Sequence, residues 1–103
     1  MTDTATDTLT KIEENLSLKE PPLYKVIFLN DDATPVDFVI QALMSIFNHD
    51  MQTSQELTQK VHDEGMAVVA ILPYEIAEQK GIETTVLSRN NNHPLQVKIE
   101  ADN

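Results

Sequence analysis

The sequence contains no cysteine, which excludes a disulfide bond, a thiol nucleophile and a thiolate metal ligand. Its only two glycines are Gly65 and Gly81, so it has no glycine-rich phosphate-binding loop. No serine lies in a Gly-x-Ser-x-Gly motif, and no histidine shows a metal-ligand spacing such as His-Glu-x-x-His. We therefore expect no catalytic residue, no metal and no cofactor.

Positive charge is also scarce. Lysine and arginine number 7 against 17 aspartates and glutamates, which gives a formal net charge of -10. A chain this acidic repels phosphate backbones and anionic lipids, so nucleic acid and membranes are disfavoured as partners and positively charged groups are favoured. No apolar run approaches the length of a membrane span, and the acidic N-terminal residues resemble neither a secretory signal nor a transit peptide. We expect a cytoplasmic protein.

Residues 1–22 differ in composition from the rest of the chain. They are rich in threonine and acidic residues, contain no aromatic residue, and end at Glu20-Pro21-Pro22. Such a segment cannot bury much apolar surface by itself, and each proline disfavours helix in the residue before it. We predict a mobile acidic arm over residues 1–22 and one domain with a modest core over residues 23–103.

The apolar pattern of the domain predicts the order β-α-α-β-α-β. Residues 24–29 read as a strand. Residues 66–72 form a near-continuous apolar run and are predicted to be a central strand buried on both faces. Residues 95–99 alternate, which is typical of a half-exposed edge strand. We expect an α+β two-layer sandwich, in which a three-stranded antiparallel sheet packs against three helices.

Helix boundaries are predicted from capping residues. Thr34 is expected to cap the first helix, with Pro35 in its first turn and Asp37 returning a hydrogen bond. A second capping box, Thr53-Ser54-Gln55-Glu56, is expected to open the second helix, and Gly65 to end it. Pro73 is expected to start a third helix, whose imperfect apolar stripe is interrupted at Gly81.

The stretch Asn30-Asp31-Asp32 places an amide and two carboxylates between the first strand and the first helix. These residues favour turns through bonds to their own backbone, so turn chemistry is one interpretation and a binding site is the other. His62, late in the second helix, is open to a similar alternative, namely a partly buried histidine that donates to a nearby carbonyl. The pair His93-Pro94 reads as a turn before the last strand.

Five motifs extend from Pro21 to about Glu100: Tyr24-Lys25-Val26-Ile27, Asn30-Asp31-Asp32-x-Thr34-Pro35-x-x-Phe38-Val39-Ile40, Val61-His62-x-x-Gly65, Glu75-x-Ala77-Glu78-x-Lys80 and His93-Pro94-Leu95. Their combination, order and spacing resemble the ClpS adaptor family. The resemblance implies a non-enzymatic N-recognin, which binds proteins with destabilising N-terminal residues and delivers them to the AAA+ unfoldase ClpA, or to a plastid-type ClpC, for degradation by ClpP. It also implies a monomeric fold of three strands and three helices.

The resemblance assigns the substrate's α-amino group to Asn30, Asp31, Asp32 and His62. We expect Asn30, Asp32 and His62 to be its direct partners. A free amine is a cation with three donors, which a carboxylate, an amide oxygen and an unprotonated imidazole nitrogen can satisfy. An acetylated terminus would leave these acceptors unpaired.

The resemblance also assigns a wall of the side-chain pocket to Thr34, Val36, Val39, Thr58, Val61 and Leu95. The family commonly has Met at the position of Val36, where it excludes β-branched N-terminal residues, and often Met at the position of Thr58. Our hypothesis is that the smaller Val36 admits Ile and Val beside Leu, Phe, Tyr and Trp, although Val36 is itself stiff.

Glu75 and Lys80 match the family positions that dock on the N-terminal domain of ClpA. A solvated helix face is the simpler interpretation of both residues. A general protein-interaction module on the same fold, with altered or lost N-terminal specificity, is the alternative function, and a metal-dependent enzyme is a distant third.

Overall fold

The computed structural model describes residues 20–103. The elements are β1 (Leu23–Leu29), α1 (Val36–Ser45), α2 (Met51–Glu64), β2 (Met66–Pro73), α3 (Tyr74–Asn90) and β3 (Gln96–Ala101). The predicted order β-α-α-β-α-β is thus confirmed. Residues 1–19 of the predicted arm lie outside the described residues. Within residues 20–103, no helix combines the length and apolar character needed to cross a membrane.

The three strands form one antiparallel sheet in the order β2-β1-β3. The prediction that residues 66–72 form the central strand is therefore wrong, because β1 is central and β2 lies at an edge. Along β2, Ala67 and Val69 are buried whereas Met66 and Val68 are exposed. Only one face of β2 is covered, and a continuous apolar run does not distinguish this arrangement from burial on both faces.

The core lies between the helices and one face of the sheet. Val26 and Phe28 of β1 are both 0% exposed and belong to one cluster with Leu43 of α1 and Ala77 of α3. The ring of Phe47 meets that of Phe28 edge-on, with the centroids 5.7 Å apart. Packing of α1 against α2 as a hairpin places the loop before α1 beside the end of α2.

Both predicted capping boxes are wrong. The helix α1 begins at Val36, after Pro35, and the Thr34 hydroxyl donates to Asp31 instead of capping the helix. The helix α2 begins earlier than predicted, because the Asp50 carboxylate accepts from the Thr53 amide at 2.7 Å and acts as its cap. This hydrogen bond lowers the pKa of Asp50. In each case an aspartate three residues before the threonine supplied the stronger acceptor.

The two glycines serve different purposes. Gly65 ends α2 in the left-handed region at φ 85°, as predicted, where a side chain would introduce strain. Gly81 lies within the continuous helix α3. A Cβ atom at Gly81 would lie 3.3 Å from Cδ1 of Ile99, so this glycine allows α3 to approach β3 closely.

Candidate functional site

The loop after β1 is tied to the end of α2 by one backbone hydrogen bond. The Asn30 amide donates to the Gly65 carbonyl oxygen at 2.9 Å. Gly65 follows the last turn of α2, which carries His62. The fold therefore brings the Asn30-Asp31-Asp32 loop to the same end of the molecule as His62. Asn30, Asp32 and His62 are all exposed, so their side chains are open to a ligand.

Asp31 is engaged by its own loop. One carboxylate oxygen accepts from the amides of Ala33 at 2.8 Å and Thr34 at 2.7 Å, and the other accepts from the Thr34 hydroxyl at 2.7 Å. Burial alone would raise the pKa of Asp31, but these hydrogen bonds outweigh it and lower the pKa. Asp31 thus shows the turn chemistry that was one interpretation of the stretch, and it remains ionised at neutral pH.

His62 is not the partly buried donor that the alternative interpretation described. It is exposed, and its ring has no hydrogen-bond partner within residues 20–103. The histidine with that structural role is His49, whose Nε2 lies 2.7 Å from the Val69 carbonyl oxygen. His62 therefore keeps both ring nitrogens available to solvent or to a ligand.

A cleft of about 400 Å³ lies between α1 and α2 and ends at His62. Its lining residues are Val36, Ile40, Gln55, Thr58, Gln59 and His62. Those from α2 share one helix face, because they recur at i, i+3, i+4 and i+7, and those from α1 are one turn apart. The apolar wall comes from Val36 and Ile40 of α1, and the four residues of α2 each bring a polar group, so the cleft can contact both apolar and polar parts of a ligand.

The six predicted pocket residues occupy three kinds of surroundings. Val36 and Thr58 line this cleft, and Val36 is 57% exposed. Val39, Val61 and Leu95 belong to the core cluster and are buried, as Thr58 is, so their place in the pocket stays a prediction. Thr34, the remaining predicted residue, is half-buried and engaged with Asp31.

Sequence reasoning missed three of the residues that line the cleft. They are Ile40, Gln55 and Gln59. The signal that could have found them is helical spacing. Counting back from His62 by three, four and seven residues gives Gln59, Thr58 and Gln55, and Ile40 lies one turn after Val36.

The turn before β3 is held together by an arginine. The Arg89 guanidinium donates to the carbonyl oxygens of His93 at 3.0 Å and Leu95 at 2.9 Å. The His93 ring meets Phe38 of α1 edge-on, with the ring centroids 4.8 Å apart. His93 thus belongs to a packed turn, as its sequence pattern predicted, and this turn supports the first turn of α1.

The two residues predicted to dock on an unfoldase differ in their surroundings. Glu75 is exposed in the first turn of α3. Lys80 is half-buried, and its ammonium donates to the Ile46 carbonyl oxygen at 2.7 Å. Lys80 is therefore not simply part of a solvated helix face. Among residues 20–103, no group of three or more histidine and acidic side chains is placed to hold a metal ion.

Comparison with known proteins gives a consistent result. Residues 19–98 match the family described as "ATP-dependent Clp protease adaptor protein ClpS". The "ATP-dependent Clp protease adapter protein ClpS" of Treponema denticola is 48% identical over 81 residues, which are 79% of this chain and 80% of that protein. The protein of the same name from Shewanella pealeana is 39% identical over 97 residues, which are 92% of this chain and 95% of that protein.

A solved structure is similar as well. It is that of Agrobacterium tumefaciens ClpS2 bound to L-phenylalaninamide, with a TM-score of 0.78 and 37% sequence identity. The match covers 81% of this chain and 100% of that one. The three-stranded antiparallel sheet and the three helices thus have a counterpart in a protein of known structure.

Proposed function

Because this chain belongs to the ClpS family of adaptors for the ATP-dependent Clp protease, we propose that it binds proteins by a free, bulky hydrophobic N-terminal residue. It delivers them to the unfoldase ClpA, without itself catalysing a reaction, and acts as a monomer in the cytoplasm. The ligand L-phenylalaninamide in the Agrobacterium relative supports the substrate class, since it carries a free amino group beside a large apolar side chain.

The observation that carries the proposal is the position of the cleft. Its apolar wall, formed by Val36 and Ile40, can pack against an N-terminal side chain, and the cleft ends at His62, beside the loop with Asn30 and Asp32. These three residues offer an imidazole nitrogen, an amide oxygen and a carboxylate to a cation with three donors. Asp31 contributes indirectly by fixing the loop through its three hydrogen bonds.

Fluorescence anisotropy with a labelled peptide that begins with Leu tests the proposal. We expect acetylation of the peptide to abolish binding, because it removes the charge and leaves the acceptors of the site unpaired. Binding should also weaken as the pH rises through the α-amino pKa of about 7.7–8.0. Equal binding of free and acetylated peptides would favour the alternative, a general protein-interaction module on the same fold.

A matched pair of variants tests the amine site. Asp32→Asn should weaken binding of the free peptide roughly 10- to 100-fold, since hydrogen bonds to charged groups contribute about 1.5–3 kcal/mol. Glu83→Gln removes the same charge from an exposed position on α3 and should leave binding unchanged. A similar loss in both variants would mean that net charge, and not a contact with Asp32, favours the amine.

Unfoldase docking is tested separately from peptide binding. We propose that Glu75 and Lys80 contact the N-terminal domain of ClpA. Glu75 is exposed in the first turn of α3, which supports a docking role for this helix end. Glu75→Lys should weaken binding of the adaptor to that domain in a pull-down while peptide affinity stays the same. Undiminished capture would exclude Glu75 from the docking surface.

A further inference from the structure

The far end of the cleft from His62 is polar. Gln55 lines the cleft seven residues before His62, which places the two residues about 10 Å apart along α2. Between them lie Thr58 and Gln59 on the same helix face, and Val36 and Ile40 face them from α1. A ligand side chain that enters from the His62 end therefore extends past apolar groups toward the Gln55 amide.

Gln55 differs from the other two glutamines of α2 in its hydrogen bonds. The Gln52 amide donates to Glu56 at 3.2 Å, and the Gln59 amide donates to Asp63 at 2.9 Å. Both hydrogen bonds join residues four positions apart. The residue four positions after Gln55 is Gln59, whose amide nitrogen already donates to Asp63. Within residues 20–103, the Gln55 side chain has no hydrogen-bond partner, so both its donor and its acceptor are available.

The nearest polar neighbour in the cleft, Thr58, offers less to a ligand than Gln55 does. The Thr58 hydroxyl donates to the Ser54 carbonyl oxygen at 2.7 Å, so its hydrogen is already used within the helix. Thr58 is also buried, whereas Gln55 is exposed and has room to adjust its amide to a ligand. The Gln55 amide is thus the exposed group at this end that can both donate to and accept from a polar ligand atom.

We propose that Gln55 is a specificity-determining residue, which hydrogen-bonds the hydroxyl at the tip of an N-terminal tyrosine. This inference rests on the proposed function, because it assumes that the amino group is held beside His62. An extended tyrosine then carries its hydroxyl most of the way along the cleft. Phenylalanine fills the same apolar walls but offers nothing to the amide, so Gln55 favours Tyr over Phe at the N-terminus.

The test compares peptides that begin with Tyr, Phe or O-methyltyrosine and are otherwise identical. In the unmodified protein, the Tyr peptide should bind more tightly than the other two. Gln55→Met keeps the length of the side chain and helix propensity but removes the amide. It should weaken binding of the Tyr peptide roughly three- to tenfold, the effect of one neutral hydrogen bond, and change Phe affinity less than twofold.

Two further variants give the test its controls. Gln52→Met makes the same change on α2 outside the cleft and should leave the ratio of Tyr to Phe affinity unchanged. Gln55→Glu keeps an acceptor for the tyrosine hydroxyl and should retain the preference for Tyr over Phe. An equal ratio in the unmodified protein and in Gln55→Met would overturn the inference.

The proposed function fails by a different observation. If acetylated and free Phe peptides bound equally, the amino group would not be held beside His62, and the function and this inference would both be overturned. If acetylation abolished binding while Gln55→Met left the ratio unchanged, only the role of Gln55 would be overturned. The acetylation arm and the tyrosine arm therefore report on separate claims.

Discussion

The Lys80 ammonium donates to the carbonyl oxygen of Ile46 at 2.7 Å, across 34 residues of sequence. Ile46 follows the last residue of α1, where carbonyl groups lack partners within the helix and the helix dipole is negative. The same ammonium lies 6.0 Å from the centroid of the Phe47 ring. Lys80 thus caps α1 from α3, and its positive charge has a structural role in addition to any role in docking.

Replacing Lys80 should therefore lower stability. Lys80→Met keeps an unbranched side chain but leaves the Ile46 carbonyl without its partner. We expect the free energy of unfolding to fall by about 1–2 kcal/mol, as for a partly exposed hydrogen bond to a charged group. Urea denaturation followed by circular dichroism would measure the change.

The same comparison separates stability from docking. Glu75→Gln alters an exposed side chain of the same helix and should leave the free energy of unfolding unchanged. If both variants lost ClpA binding and only Lys80→Met lost stability, Lys80 would act in part through the position of α3. Full stability of Lys80→Met would show that the contact with Ile46 contributes nothing measurable.

The decrease of the free energy of unfolding at acid pH should depend in part on Asp31. Its pKa lies below the ordinary value of 3.8 in the folded protein, because the hydrogen bonds of its loop outweigh burial. The unfolded chain therefore binds the proton first as the pH falls. The stability that Asp31 contributes is present above pH 3.8 and is lost as the pH falls through the lower folded value.

The variant Asp31→Asn tests this prediction. At neutral pH it should lower the free energy of unfolding by about 1 kcal/mol, discounted for partial exposure. The difference from the unmodified protein should shrink as the pH falls from 3.8 through the lower folded pKa, below which both chains carry a neutral group. A difference that stays constant across this range would show that the charge of Asp31 is not responsible.

The size of the side chain at position 81 should determine whether a substitution raises or lowers the melting temperature. Alanine favours helix over glycine by about 1 kcal/mol, but its Cβ would lie 3.3 Å from Cδ1 of Ile99. That atom is the end of a flexible, half-exposed side chain on an edge strand, so it can move by a few tenths of an ångström. We expect Gly81→Ala to raise the melting temperature slightly and Gly81→Val to lower it, since the larger side chain must displace Ile99. Destabilisation by alanine would mean that β3 cannot adjust.

Much of the fold could be predicted from local patterns, because alternation and helical spacing report directly on which side of an element is buried. The residues of β3 and the turn at Gly65 illustrate this. The position of β2 could not be predicted, because alternating exposed residues such as Met66 and Val68 are as apolar as their buried neighbours. An edge strand with an apolar open face has the sequence of a central one.

The site was less predictable than the fold. Thr34 was expected to cap α1, with Asp37 returning a hydrogen bond. Asp31 instead accepts from both the amide and the hydroxyl of Thr34, and the sequence pattern alone does not show which carboxylate reaches Thr34. Family resemblance supplied Val36 and Thr58, which line the cleft, and also Val39, Val61 and Leu95, which belong to the core cluster. The polar wall around Gln55 depends on packing of α1 against α2, which no local pattern specifies.

The smaller residue at the cleft entrance should widen substrate choice. Val36 lines the cleft next to the end that holds His62 and is 57% exposed, so we expect its methyl groups to contact an N-terminal side chain near the β-carbon. A methionine at position 36 would extend further into the cleft and crowd the second γ-carbon of a β-branched N-terminal residue. We expect the unmodified protein to bind a peptide that begins with Ile within roughly tenfold of one that begins with Leu, and Val36→Met to widen that gap.

Fluorescence anisotropy with both peptides would measure the ratio of the two affinities. Ile40→Leu, a change on the same wall one turn later, would control for general repacking of the cleft. If the unmodified protein and Val36→Met excluded Ile equally, stiffness of the valine itself, and not its size, would govern the entrance.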